Sequence, residues 1–237
     1  MKDANIYLVP SPLALEAPFD EKVIYYINDI LQKNNDILVL VESEKIARGR
    51  WIKSGLDRKL IDFFIPFNEH TEILKTSEII QKCKLGAKVF IIVDEGIPCV
   101  HDPGTHIISS AWKENLLVTS MPFSNSWLQA LALSGFYADK FIHFGFPAAR
   151  GDERKKDHED FLRSSKTSIL MDTAYRLEST LDQLGKLEKE LLIKSQLFLL
   201  AMDLNRESEL LLRGKLGSLL EAAKGKKQDF ILIKQSK

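Results

Sequence analysis

The sequence is short of several things at once. It has 2 cysteines in 237 residues, Cys83 and Cys99, at no spacing that suits a disulfide framework or a metal site. They read as small apolar side chains in a reducing compartment. Net charge is missing too: Lys plus Arg and Asp plus Glu both number 33. That excludes a general electrostatic pull toward nucleic acid, while leaving RNA open as a specific substrate. No apolar run reaches the roughly 18 residues a membrane helix needs, and Met1-Lys2-Asp3 opens no signal peptide. The expectation is a cytoplasmic protein with no membrane contact. Also absent are the Walker phosphate loop, a GxGxxG after a strand, HExxH, paired CxxC and GxSxG. The histidines at 70, 101, 106, 143 and 158 are scattered, so no metal is expected.

What is present is an ordinary globular composition, 45% apolar and 28% charged, long enough for one large domain or two modest ones. The stretch Ala87–Gly104, AKVFIIVDEGIPCVHDPG, stands out. Lys88–Val93 reads as a strand buried on both faces, the habit of parallel sheets. Asp94, Gly96, Pro98, Pro103 and Gly104 then form a stiff loop at its carboxyl end, where open α/β sheets bind ligands. Ile6–Val9 is another short strand, stopped by Pro10-Ser11-Pro12. The pattern continues with a helix to Lys33, a strand over Asp36–Val41, a helix through Ile46 and Trp51, and a strand over Phe63–Pro66. A helix closed by Gly86, the Lys88 strand, a helix over His106–Lys113, a strand over Leu116–Thr119 and a helix over Trp127–Ser134 follow. Alternating strands and helices predict a parallel sheet with helices on both faces and right-handed crossovers.

The composition shifts at Phe144–Lys156, FGFPAARGDERKK, and the domain boundary is placed there, giving domains 1–146 and 147–237. Strands over Ser168–Met171, Leu197–Met202 and Phe230–Lys234, with helices over Asp157–Arg163, Arg176–Leu187 and Lys215–Lys224, predict a second α/β domain with a mixed sheet. Arg150, Arg154, Lys155 and Lys156 read as a solvated charged linker, with an RNA contact as the alternative. Three strand exits end in unusual turns: Pro10–Pro12, Asp94–Pro98 and Met121–Ser126. Parallel strands would bring them to one edge, lined by backbone groups and suited to a small polar ligand.

Taken in order, several segments resemble the tetrapyrrole methylase superfamily, class III S-adenosylmethionine-dependent methyltransferases. The nearest likeness is to its branch of small-subunit ribosomal RNA cytidine 2′-O-methyltransferases. They are YLVPSP at Tyr7–Pro12, Glu42, Asn68-Glu69-His70, VDEGIPCVHDPG at Val93–Gly104, ALALSGFYADKFIHFGFPA at Ala130–Ala148, Tyr175-Arg176-Leu177 and AMDL at Ala201–Leu204. The resemblance implies two α/β domains, a cofactor cleft between them and a homodimer. It implies S-adenosylmethionine held by Pro10, Ser11, Pro12, Leu13, Asp94, Gly96, Ile97, Pro98, Val100, Ser124, Asn125 and Ser126, with further contacts at Met171, Ala201, Met202 and Asp229. The acid–base candidates it points to are Glu42, Asp94, Glu95, Glu69 and His70, each of which could instead cap a helix or order its loop. Arg176 would hold a substrate phosphate or pair with a carboxylate. The implied activity is methyl transfer to RNA at a ribose 2′-hydroxyl. A small-molecule acceptor such as a tetrapyrrole, or a non-catalytic cofactor-binding relative, is the alternative. The sequence departs from the family's Pro-Gly-Pro at Pro122-Phe123-Ser124. The ribosomal RNA branch also carries a small C-terminal helical domain beyond the point corresponding to Lys237.

Overall fold

A computed structural model describes residues 3–236. It comprises two compact units, one ending at Asn125 and the other beginning at Ser126. Among the described residues no helix is long and apolar enough to cross a membrane.

The first unit runs β1 (Ile6–Val9), α1 (Glu21–Lys33), β2 (Ile37–Val41), α2 (Glu44–Lys53), a 3-10 segment over Arg58–Phe63, β3 (Phe64–Pro66), α3 (Glu72–Lys84), β4 (Lys88–Ile92), α4 (Thr105–Lys113) and β5 (Val118–Ser120). All five strands are parallel, in the order β3-β2-β4-β1-β5. Side chains alternate across the sheet, so each strand feeds two cores. Tyr7, Val9, Val39, Val41, Phe90 and Ile92 pack under α1 and α2. Ile6, Leu40, Val89 and Ile91 pack under α3 and α4. α1 is held there by Val23, Ile27 and Ile30, which recur at helical spacing and are all buried.

This layering fixes where the chain opens. After β1 the chain crosses β4 on the α1 face to reach β2. After β4 it crosses β1 on the α4 face to reach β5. The loops leaving these two neighbouring strands therefore turn to opposite faces. Their carboxyl ends form a topological switch point, the place where open α/β sheets bind their ligands.

The second unit runs α5 (Ser126–Ser134), β6 (Phe141–His143), α6 (Gly151–Arg163), β7 (Thr167–Asp172), a 3-10 turn over Ala174–Arg176, α7 (Leu177–Glu190), β8 (Phe198–Met202), β9 (Leu210–Gly214), α8 (Leu216–Ala223) and β10 (Phe230–Lys234). The sheet order is β6-β7-β10-β8-β9, with β6 parallel to β7 and the other neighbours antiparallel. The mixed sheet expected from the sequence is present. α6, α7 and α8 cover one core, built on Leu170, Leu200, Met202, Phe230 and Leu232.

The division falls earlier than the sequence suggested. α5 packs on β8 and β10, and β6 pairs with β7, so both belong with the second unit. The Gly/Pro/charge-rich stretch is not a linker either. Phe144 stacks edge-on against Phe161, and Gly145 accepts a hydrogen bond from the Met171 N–H at 2.9 Å. From Gly151 onward the stretch is α6, whose buried side is Arg154, His158, Phe161 and Leu162.

Candidate active site

The exits of β1 and β4 are fastened together. Ser11 N–H donates to the Gly96 carbonyl at 2.8 Å, and Gly96 N–H returns the bond to Ser11 at 3.0 Å. The Ser11 hydroxyl donates to the Val93 carbonyl at 2.6 Å. Pro10 and Pro12 have no N–H to offer, so Ser11 carries the one backbone donor of the Pro10–Pro12 turn and directs it to β4's exit. Gly96 sits at φ +74°, a conformation that glycine adopts freely. On the other side Met121 N–H donates to Leu8 at 3.0 Å, which keeps β5's exit beside β1's.

Beneath these loops lies Arg50, 1% exposed. Its Nη1 donates to the Asp94 carbonyl at 2.7 Å. Nη2 donates to Leu15 at 3.1 Å, with longer contacts to Ala14 and Pro12 at 3.4 and 3.5 Å. Nε donates to Ala17 at 3.2 Å, and the guanidinium lies over the Phe19 ring. The fixed fork of a guanidinium suits it to several carbonyls at once. One side chain thus ties the loop after β1 to the loop after β4.

Above it the rim is acidic. Glu42 accepts a hydrogen bond from the Asp94 N–H at 2.9 Å. Burial, and then the nearby Glu42, push the Asp94 carboxyl up to about 6. Burial, and then Glu42, Asp94 and Glu95, push Asp102 up to about 7. Asp102 reaches back toward Gly96, where its Oδ2 would stand 3.9 Å from an added Cβ. The loop between them is tightly turned, with Gly96, Cys99, His101 and Gly104 all at positive φ. At Gly104 a Cβ would stand 2.8 Å from Cys99 Sγ, so only glycine fits. Glu72 of α3 accepts bonds from the Gly104 and His106 N–H groups at 3.2 and 2.6 Å, capping α4 and anchoring the loop's far end. Burial pushes the Cys99 thiol up to about 11, which makes it a poor nucleophile.

Of the residues singled out from the sequence, the structure gathers Pro10, Ser11, Pro12, Leu13, Asp94, Gly96 and Ile97 on these two fastened loops, with Glu42 and Glu95 in the acidic cluster. Pro98 is buried and Val100 exposed further along the same loop. Ser124 and Asn125 follow β5, and Phe123 keeps an ordinary negative φ, so glycine is not needed there. Glu69 and His70 are not brought to the rim. They follow β3, the edge strand, two strand spacings (roughly 10 Å) from β4. Their side chains are 74% and 84% exposed, 3.7 Å apart.

In the second unit Ser126 opens α5. Met171 and Ala201 face each other across Ile231 in one row, and the Asp229 carbonyl accepts from Asp203 at 2.9 Å just before β10. Met202 turns its side chain into the core, leaving only its backbone for contact. Arg176 pairs with Asp172 at 3.5 Å, its side chain 36% exposed. Arg154, expected in solvent, is 5% exposed and pairs with Asp172 at 2.7 Å.

Sequence reasoning missed Arg50 and Asp102. Arg50 stands three residues after Ala47 and next to Trp51, on the inward stripe of α2, and that position was its only signal. Asp102 lies inside the Val93–Gly104 segment beside Pro103, where a turn is reason enough for an aspartate.

Known proteins bear on this geometry. No family model matches the chain. It is 32% identical over 117 residues to a ribosomal RNA small subunit methyltransferase I of Thermotoga maritima, covering 49% of this chain and 52% of that one. It is 29% identical over 178 residues to the protein of the same name in Rickettsia prowazekii, covering 75% and 60%. A uroporphyrin III C-methyltransferase structure from Thermus thermophilus matches over 97% of this chain and 96% of its own, with a TM-score of 0.54 at 14% identity.

The chain is similar to ribosomal RNA small subunit methyltransferase I proteins and has the fold of a uroporphyrin III C-methyltransferase.

It spans about half the length of the curated relatives, covering 52%, 43% and 60% of the first three. The sequence likeness comes from those relatives, while the structural match speaks to the fold alone. Within the tetrapyrrole methylase fold, the fastened rim of β1 and β4 is the part of the first unit built from loops rather than from core.

Proposed function

We propose that the chain is an S-adenosylmethionine-dependent methyltransferase acting on RNA, at a ribose hydroxyl of a ribosomal RNA-like substrate. The observation that carries this reading is the acidic rim on the two fastened loops. Glu42, Asp94, Glu95 and Asp102 stand close enough to raise the proton affinity of Asp94 and Asp102. The buried guanidinium below directs its donors to carbonyls. A sulfonium cofactor would bring a positive charge to the carboxylates themselves. The curated relatives, named as ribosomal RNA methyltransferases, support the same class.

S-adenosylmethionine would supply an electrophilic methyl group. Pro10, Ser11, Pro12 and Leu13, with Gly96, Ile97 and the segment to Val100, would hold it through side chains and the backbone groups that the Ser11–Gly96 pair and Arg50 do not engage, joined by Ser124 and Asn125. Arg50 keeps those groups in place before any ligand arrives, so little ordering is left for the binding step. An acceptor hydroxyl gives up its proton as its oxygen gains the methyl. Asp94 and Asp102, with carboxyls at about 6 and about 7, have the proton affinity of a base at neutral pH. The resemblance also supports a homodimer in the cytoplasm, which sedimentation equilibrium tests.

Titration calorimetry with S-adenosylmethionine is the first test, with micromolar or tighter binding expected. No heat at high cofactor concentration would remove the methyl-transfer reading altogether. Tritiated cofactor with total RNA, or with a small-molecule extract, then separates the acceptors. Label confined to the small-molecule fraction would remove RNA.

A further inference from the structure

We infer that a groove between α6 and α7 of the second unit binds the phosphodiester backbone of the RNA, an inference that rests on RNA being the substrate class. The groove has a volume of about 420 Å³ and presents Arg150, Arg154, Lys155, Arg176 and Lys186 along its walls. Glu190 is the one carboxylate lining it. These five cations meet only Asp172, Asp182 and Glu190 in ion pairs among the described residues. In a chain with no net charge, that local excess of positive charge marks this surface out.

The pairs differ in permanence. Arg154 is fixed: it donates to Asp172 and Thr180 at 2.7 Å, to Gln183 at 3.0 Å and to the Ala148 carbonyl at 3.1 Å. Lys155–Glu190 at 3.3 Å and Lys186–Asp182 at 2.7 Å are exposed, and such pairs exchange readily for another anion because each is worth little. Arg150 makes no ion pair among the described residues and offers no side-chain cap to α6. The N-terminal end of that 13-residue helix therefore opens into the groove with its positive dipole.

An independent observation points to a ligand. His158 lines the groove, is 1% exposed, and its Nε2 has no hydrogen-bond partner. Buried polar atoms are almost always paired. Burial, then Arg154, push the imidazole down to about 4, so the ring is neutral at physiological pH. In the tautomer with its proton on Nε2 the ring carries a buried donor at the groove wall, which a phosphate oxygen would reach once the side chains covering it move aside. No Phe, Tyr or Trp lines the groove, so it has no platform for stacking bases. It suits phosphates in a chain better than a nucleobase.

The test is fluorescence anisotropy with a labelled single-stranded oligoribonucleotide over a salt series, using the full chain and the Arg150→Glu/Lys186→Glu variant. Neither residue belongs to the proposed cofactor loops. The expected result is at least a tenfold loss of affinity, with a salt slope smaller by about 0.7 for each phosphate no longer neutralised. Calorimetric binding of S-adenosylmethionine should stay unchanged. In a parallel arm, the ring nitrogens of His158 should shift in NMR spectra on adding the oligonucleotide. RNA affinity and salt slope unchanged in the variant would overturn the groove while leaving RNA methylation standing. ATP or inorganic phosphate displacing the RNA at equal or lower concentration would assign the groove to a free phosphate ligand and overturn the backbone assignment. Failure of the wild-type chain to bind or methylate RNA would instead count against the proposed function itself.

Discussion

Replacing Arg50 separates a rim held in place from one that merely folds there. In Arg50→Met the stem's volume stays and the guanidinium goes. Three well-formed bonds disappear, at 2.7, 3.1 and 3.2 Å. Hydrogen bonds from a charged donor are worth about 1.5–3 kcal/mol each, so the gross loss is about 4–9 kcal/mol. Two terms offset part of it. The released carbonyls belong to loops and can regain water, and the desolvation that holds the Arg50 charge below its usual proton affinity disappears. A net cost of about 2–4 kcal/mol is what remains, or roughly 5–15 °C in Tm for a chain of this size. Guanidinium chloride unfolding followed by circular dichroism measures it, and calorimetry with S-adenosylmethionine should show binding weakened at least tenfold. Arg50→Lys should fall between the two, since an ammonium reaches fewer carbonyls than the fork. A methionine variant with unchanged midpoint and full cofactor affinity would refute the reasoning, because the two exits would then be holding each other without help.

Gly104→Ala should cost about 1–3 kcal/mol, since its Cβ would stand 2.8 Å from Cys99 Sγ at φ +128°. Gly96→Ala, with nothing closer than 3.9 Å, should cost about 1–2 kcal/mol from backbone strain alone; urea midpoints that rank them the other way would show the loop relaxes. Asp94 and Asp102 hold their protons more tightly folded than unfolded, so stability falls as pH rises from the ordinary 3.8 toward about 6 and about 7. Asp102→Asn should flatten that fall and gain on the order of 1 kcal/mol at pH 8 after allowance for solvent screening, whereas parallel pH profiles for mutant and parent would contradict it. Asp172→Ala strands the buried Arg154 and should cost about 3–5 kcal/mol. Arg154→Met combined with Asp172→Leu should cost less, and a chevron series on the two variants checks the order.

Much of the fold was legible because apolar period and turn chemistry agreed. β1 and β10 lie where Ile6–Val9 and Phe230–Lys234 suggested, each an apolar run with clear ends. What was missed had mixed signals. β6 is only three residues long. β9, LLLRG, is an edge strand, half-exposed and ending in glycine. The first turns of α6 looked like a linker because two of its four inward residues are Arg154 and His158, and a hydrophobic count does not register a buried guanidinium. The candidate site shows the same limit. Pro10–Pro12 and Asp94–Pro98 announced themselves through proline and glycine. Arg50 acts through backbone carbonyls distant in sequence, and no local pattern encodes that. Glu69 and His70 had suggestive chemistry, but strand order carried them to the sheet's edge.

The placement of β10 has a consequence for biosynthesis. It comes after every other described strand along the chain yet sits at the centre of its sheet, between β7 and β8. A ribosome releases residues in order, so the second unit's middle stays vacant until residues 230–234 emerge. The first unit, whose strands are complete by Ser120, can consolidate while its neighbour waits. Nascent chains stalled just short of Phe230 should therefore carry a finished first half and an open, protease-sensitive second.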